Sequence, residues 1–166
     1  MDIQTYNEWK ALPVGEVSFA PRSIYDITRD FVRSINPEIK TTFFENEFYA
    51  ISSEKIINLT FVPDEFDGLY DAFLREHFGI SINPFLIGML HEIGHIMTFD
   101  ETLDHERSII YYLLDIDFDY KRFRDFTNMY FAIPSEFEAT KWGVEYYLSH
   151  KEHCDNFLKE IGYEVE

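Results

Sequence analysis

Apolar residues at Ile24, Ile27, Phe31, Val32 and Ile35 recur at the three- and four-residue spacing that lines one face of a helix. Ser23 ahead of this stripe, with Asp26 at the third helical position, is an N-cap signal. Asn36-Pro37 is a stop, so a helix is predicted over residues 23–36. Upstream, Pro13, Gly15 and Pro21 interrupt any period, and residues 1–22 read as an N-terminal arm. The pattern then changes. Thr41 to Phe44, Phe48 to Ile51 and Ile56 to Val62 are short runs rich in β-branched and aromatic residues, separated by Glu45-Asn46-Glu47 and Ser52-Ser53-Glu54. Such close turns favour pairing between neighbours in sequence, which predicts a small antiparallel three-stranded sheet over residues 40–62, packed on the helical part.

Helical periodicity returns at Phe66 to Phe78, with Gly79 placed as a C-terminal glycine. Asn83-Pro84 is a cap and first-turn pair opening a helix over residues 83–99. That helix is apolar nearly all round, so it should be buried. From Leu103 to Ile161 the pattern gives two or three further helices, one over residues 135–149, with breaks at Asp115 to Asp119 and at Ala132-Ile133-Pro134. No internal repeat is visible. The whole reads as one α+β domain, residues 1–166.

Composition supports a single core: 166 residues, 46% hydrophobic and 18% aromatic. The longest apolar stretch near the middle, Phe85 to Leu90, is far short of a membrane span, and the N-terminus lacks the basic and apolar regions of an export signal. Cys154 is the only cysteine, which excludes an intramolecular disulfide and suggests a buried, inert thiol. A cytoplasmic location is the expectation. The net charge of −17 would repel a phosphate backbone, which argues against direct nucleic-acid binding; it suits solubility, or a basic protein partner.

The buried helix changes the picture, because it carries His91-Glu92-Ile93-Gly94-His95, a His-Glu-x-x-His pattern. The i, i+4 spacing puts both imidazoles on one face, one turn apart, where a single tetrahedral ion can bind both. Glu92 lies beside that face, within reach of a metal-bound water but not a ligand, as a general base must be. Left unpaired in an apolar helix, each of these side chains would cost on the order of a few kcal/mol. One zinc ion, held by two histidines and a carboxylate with a fourth position open to water, accounts for all three.

A third ligand must come from elsewhere, since Thr98 and Glu101 stand where a third histidine motif would continue. In the segment after Pro134, Glu136 shares a face with Ala139, Thr140, Gly143 and Tyr147, the small and apolar side suited to docking on the active-site helix. Glu138 shares a face with Lys141 and Glu145, and Ser135-x-x-Glu138 reads as a capping box that already employs it. Glu136 is therefore preferred as ligand, with Thr140 placed to hold a ligand imidazole. Asp100, Glu101, Asp104 and His105 are weaker sources of a ligand. His150, His153 and Cys154 could hold a second metal but read as a solvated helix surface. Tyr130, Tyr111, Tyr112 and His105 are candidates for a second oxyanion donor.

On these two blocks, His91 to His95 and Glu136-Phe137-Glu138-Ala139-Thr140-Lys141-Trp142-Gly143, the sequence resembles the ImmA/IrrE family of small zinc peptidases, found in bacteria, mobile elements and phages. The second block is similar to that family's Glu-x-Glu-Ala-Asn-x-Phe-Ala segment, with Thr140 for the usual Asn or Asp and Trp142 for Phe. The resemblance implies a gluzincin-like, zincin-type domain in which the first glutamate of the second block binds zinc. It also implies cleavage of a specific regulatory or DNA-binding protein. The alternative is an acidic antagonist with a structural zinc that sequesters a basic nucleic-acid-binding partner without cutting it. The sequence leaves the oligomeric state open.

Overall fold

The structure, a computed structural model, describes residues 22–43, 48–61, 67–107, 130 and 132–163. The expected arm before Arg22, the end of the last predicted strand at Val62 and the break at residues 115–119 lie outside these. The fold is α+β. Helix α1 (Arg22–Ile35) begins one residue before the predicted cap, so Ser23 lies inside the first turn rather than ahead of it. Helix ends shift by a residue with the strength of the terminal hydrogen bonds. Its buried stripe is Ile24, Thr28, Phe31 and Val32, and the Thr28 hydroxyl donates to the Ile24 carbonyl at 2.8 Å, so no buried donor is wasted there.

The sheet corrects the sequence reading. Strands β1 (Lys40–Thr42), β2 (Tyr49–Ile51) and β3 (Ile56–Asn58) lie in the order β1-β3-β2; β2 and β3 are antiparallel, but β1 and β3 run parallel, so the sheet is mixed. Burial explains why β3 takes the centre. Ile57, Asn58 and Leu59 at its end are fully buried, whereas the flanking strands are half-exposed and tolerate an edge. The turn after β2 sets the parallel alignment. It is a 3-10 turn, Ser52–Glu54, closed by Lys55 in the left-handed region (φ 54°). The Lys55 carbonyl accepts from the Lys40 amide at 2.8 Å, and its ammonium pairs with Glu38 just before β1. Both contacts bring the start of β1 beside the start of β3. Thr42 then donates to the Asn58 side chain at 2.9 Å, supplying a partner to a buried amide.

Helix α2 (Asp67–Phe78) ends at Gly79, whose φ of +66° is the left-handed C-terminal conformation expected of it. Helix α3 (Pro84–Met97) starts as predicted: Asn83 Oδ1 accepts from the Leu86 amide at 3.1 Å and Pro84 occupies the first turn. It is the buried centre of the molecule, with Leu86, Ile87, Met89, Leu90 and Ile93 all fully inaccessible. Residues 101–107 are helical, followed by α4 (Pro134–Ser149) and α5 (Lys151–Glu160). No helix among the described residues is long and apolar enough to cross a membrane.

The predicted capping box on α4 is not formed. Ile133 is the cap residue and makes no side-chain cap bond; Pro134, with its preset φ, takes the first helical position and moves Ser135 inside the helix. Glu138 is half-exposed and pairs with Lys141 at 3.6 Å. Two glycine contacts let α4 lie close along α3. Gly143 sits against Leu90 and Ile87, and Gly94 sits against the backbone of Ala139. On the other side, Phe31 of α1 stacks on Phe157 of α5 at 4.1 Å. Cys154 is buried among these residues, and burial pushes its thiol up to about 12, which makes it the inert thiol expected.

Candidate metal centre

Three buried side chains converge where α3 and α4 are closest. His91 Nε2 and His95 Nε2 are 3.1 Å apart, and Glu136 Oε2 is 3.0 Å from each. Ligands about 2.0–2.1 Å from a shared tetrahedral ion stand roughly 3.3 Å from one another, so the three atoms already form one face of such a site. Two imidazole nitrogens aimed at one carboxylate oxygen and at each other need a cation or protons between them. A metal ion fits this donor set, and among the described residues it is the only such cluster. The triad is buried, Glu136 to 1% exposure. Local sequence explains the convergence of the first two, since a helix puts positions i and i+4 in line. The third arrives because Gly94 admits the Ala139 backbone, which brings α4 close enough for Glu136 to reach.

Hydrogen bonds orient His91. The Thr140 hydroxyl donates to the Glu136 carbonyl at 2.8 Å, so its oxygen is left to accept from His91 Nδ1 at 2.9 Å. A proton on Nδ1 leaves the Nε2 lone pair directed at the centre, as a ligand requires. Tyr130 brings its hydroxyl 3.3 Å from His91 Nε2, on the same centre. Of the other oxyanion candidates, His105 is exposed, and Tyr111 and Tyr112 lie outside the described residues.

The remaining candidates have other partners or lie at the surface. Asp100 caps the helical turn after it, accepting from Thr102 and Leu103, and Glu101 is exposed. Asp104 pairs with Arg107. His150 stacks on Tyr146, and His153 bonds Ser34 Oγ at 2.8 Å and stacks on Phe31, so the two do not form a second metal site. One residue of the centre escaped the sequence reading. Arg107 places Nη1 3.3 Å from His95 Nδ1 and 3.8 Å from Glu136 Oε1. The Asp104 and Arg107 spacing signals an i, i+3 pair, but nothing local signals its reach back to His95.

Charge at the centre is divided unevenly. Burial raises the Glu136 carboxyl, but the close contacts with both imidazole rings and the positive charge those rings carry when protonated outweigh it and hold the group well below the usual carboxylate range. Burial lowers His91, but the Glu136 bond and the charges of Glu92 and Glu136 leave it raised; in His95 burial prevails, aided by His91 and Arg107. Glu92 is pushed up to about 7, first by burial and then by the Glu136 charge, against His91 and Arg107. Glu92 therefore weakens the metal-free fold as pH rises. Its unfolded value of 4.5 lies below its folded value of about 7, so the stability present below pH 4.5 is lost as pH climbs through 7. The loss is on the order of 3 kcal/mol. In chelator-treated protein, Glu92→Gln should remove most of this slope. Denaturant titrations of both proteins at pH 5 and 8 check it; equal stability differences at the two pH values would contradict it.

Comparison with known protein families, curated proteins and solved structures finds no match to this chain, so the case for its chemistry rests on the convergence of His91, His95 and Glu136.

Proposed function

We propose that the protein is a zinc-dependent metallopeptidase of the kind its two motif blocks resemble. The observation that carries this is the buried cluster of His91, His95 and Glu136, with Glu92 next to it in sequence and itself buried. Two imidazoles and one carboxylate are the donor set of hydrolytic zinc sites. Zinc, when bound, would lower the pKa of a coordinated water towards ~7 and polarise the scissile carbonyl. Glu92 then acts as the base that takes the proton from the attacking water and hands it to the departing amine. The Tyr130 hydroxyl donates to the oxyanion that develops on the carbonyl oxygen.

The substrate in this reading is a specific regulatory or DNA-binding protein, bound as an extended segment along β2, the sheet edge packed on α3. The net charge of −17 favours a basic target. The same charge supports the competing reading, an acidic binding protein with a structural metal; Glu92 separates the two, since only the peptidase needs its carboxylate. Metal content is the direct test of the site. Elemental analysis of wild type should give about one zinc per chain, and His91→Ala and Glu136→Ala should lose it, since each removes one of three protein ligands. A folded wild type without zinc would remove the basis for a peptidase.

A further inference from the structure

The two ligand histidines face opposite hydrogen-bonding environments on their outer nitrogens. His91 Nδ1 meets the Thr140 oxygen, which accepts. Among the described residues His95 Nδ1 meets only Arg107 Nη1, at 3.3 Å, and a guanidinium has donors but no acceptor. Facing a donor, His95 Nδ1 must present its lone pair, which places the ring proton on Nε2, the nitrogen turned to the centre. That proton is well placed against Glu136 Oε2 at 3.0 Å and His91 Nε2 at 3.1 Å. The same guanidinium is 3.8 Å from the outer oxygen of Glu136 and is anchored by Asp104 three residues back. Its side chain is 17% exposed, so solvent screens its charge little.

From this geometry we propose that Arg107 gates the metal site. It holds His95 in the tautomer that cannot ligate through Nε2 and adds a positive charge beside the carboxylate ligand. A cation enters only when Arg107 withdraws and the His95 proton passes to Nδ1. Arg107 is thus a positioning residue acting through His95 and Glu136, and its removal should tighten metal binding. The inference rests on the metal-site reading above. Glutamine at this position offers an amide oxygen to accept from Nδ1 and carries no charge, whereas lysine keeps both the donor and the charge.

The test uses the full chain stripped by chelator, with zinc affinity measured by competition against a chromophoric chelator. Arg107→Gln should bind zinc roughly ten- to hundredfold more tightly than wild type, the range by which partners of ligand histidines alter metal affinity, and Arg107→Lys should stay near wild type. Long-range ¹⁵N NMR on the metal-free protein gives a readout that a merely structural role would not move. It should show His95 protonated on Nε2 in wild type and on Nδ1 in Arg107→Gln, with His91 on Nδ1 in both. Zinc binding by wild type with equal or weaker binding by Arg107→Gln would overturn the gate and leave the metal site standing. Folded wild type and variants that all fail to bind zinc would overturn the metal reading and the gate together.

Discussion

Glu92→Gln is expected to keep its zinc and to lose hydrolysis by about 10²- to 10⁴-fold, the usual contribution of a positioned general base. Glutamine has the shape of glutamate, so the packing of a residue only 6% exposed is preserved, while the proton acceptor is gone. The three metal-directed atoms belong to other residues, so the metal should stay. Because the proposed substrate is one particular protein among many, the measurement is made on a mixture. New peptide N-termini generated in a lysate by wild type are labelled and compared with those generated by Glu92→Gln, alongside metal content. Termini produced equally by both proteins would remove Glu92 as the base. An absence of new termini from wild type, with function in a binding assay untouched by the substitution, would favour the acidic binding protein.

Gly94→Ala should destabilise the fold by about 3 kcal/mol and weaken metal binding with it. A Cβ at this position would lie 2.9 Å from both the Cα and the carbonyl carbon of Ala139, and closer still to its oxygen. Those are backbone atoms in the middle of α4, which cannot rotate away as a side chain tip can. To admit a methyl group, α4 must back off from α3, and Glu136 moves with it. Gly88→Ala on the same helix is the control. The nearest atoms to a Cβ there are those of the Phe48 ring, at 3.6–3.7 Å, which is ordinary contact, and alanine is the better helix former by about 1 kcal/mol. Urea titrations of the two variants should therefore move in opposite directions. Equal behaviour would mean that the helix contact is softer than its geometry implies.

Much of the frame is legible because the signals are local. The stripe of α1, the Asn83-Pro84 start of α3 and the Gly79 stop of α2 each depend on residues within a turn or two, and the structure places all three elements within a residue or two of expectation. The sheet was harder to read. Its strands are three residues long, and which one lies in the middle is decided by burial of Ile57 and Leu59 and by contacts of Lys55 with Glu38 and Lys40, none of them visible as periodicity. The α4 start misled for a different reason. Ser135 and Glu138 have the spacing of a capping box, but Pro134 suits the first helical position and enters the helix first.

Helical geometry converts sequence spacing into spatial position over a single turn, so the sequence by itself determined that His91 and His95 share a face and that Glu92 lies beside it. The same geometry ranked Glu136 above Glu138, since only one face of α4 is small and apolar enough to dock. How closely that face approaches, and so whether Glu136 reaches the histidines at 3.0 Å, was decided only in the folded molecule, by a glycine on one helix meeting backbone on the other. Thr140, one turn after Glu136, was legible as a partner for a ligand imidazole; that it takes His91, and that Arg107 takes His95, was settled by tertiary structure. A hydrogen bond needs its atoms aligned within a few tenths of an ångström, and between elements far apart in the chain only packing supplies that alignment.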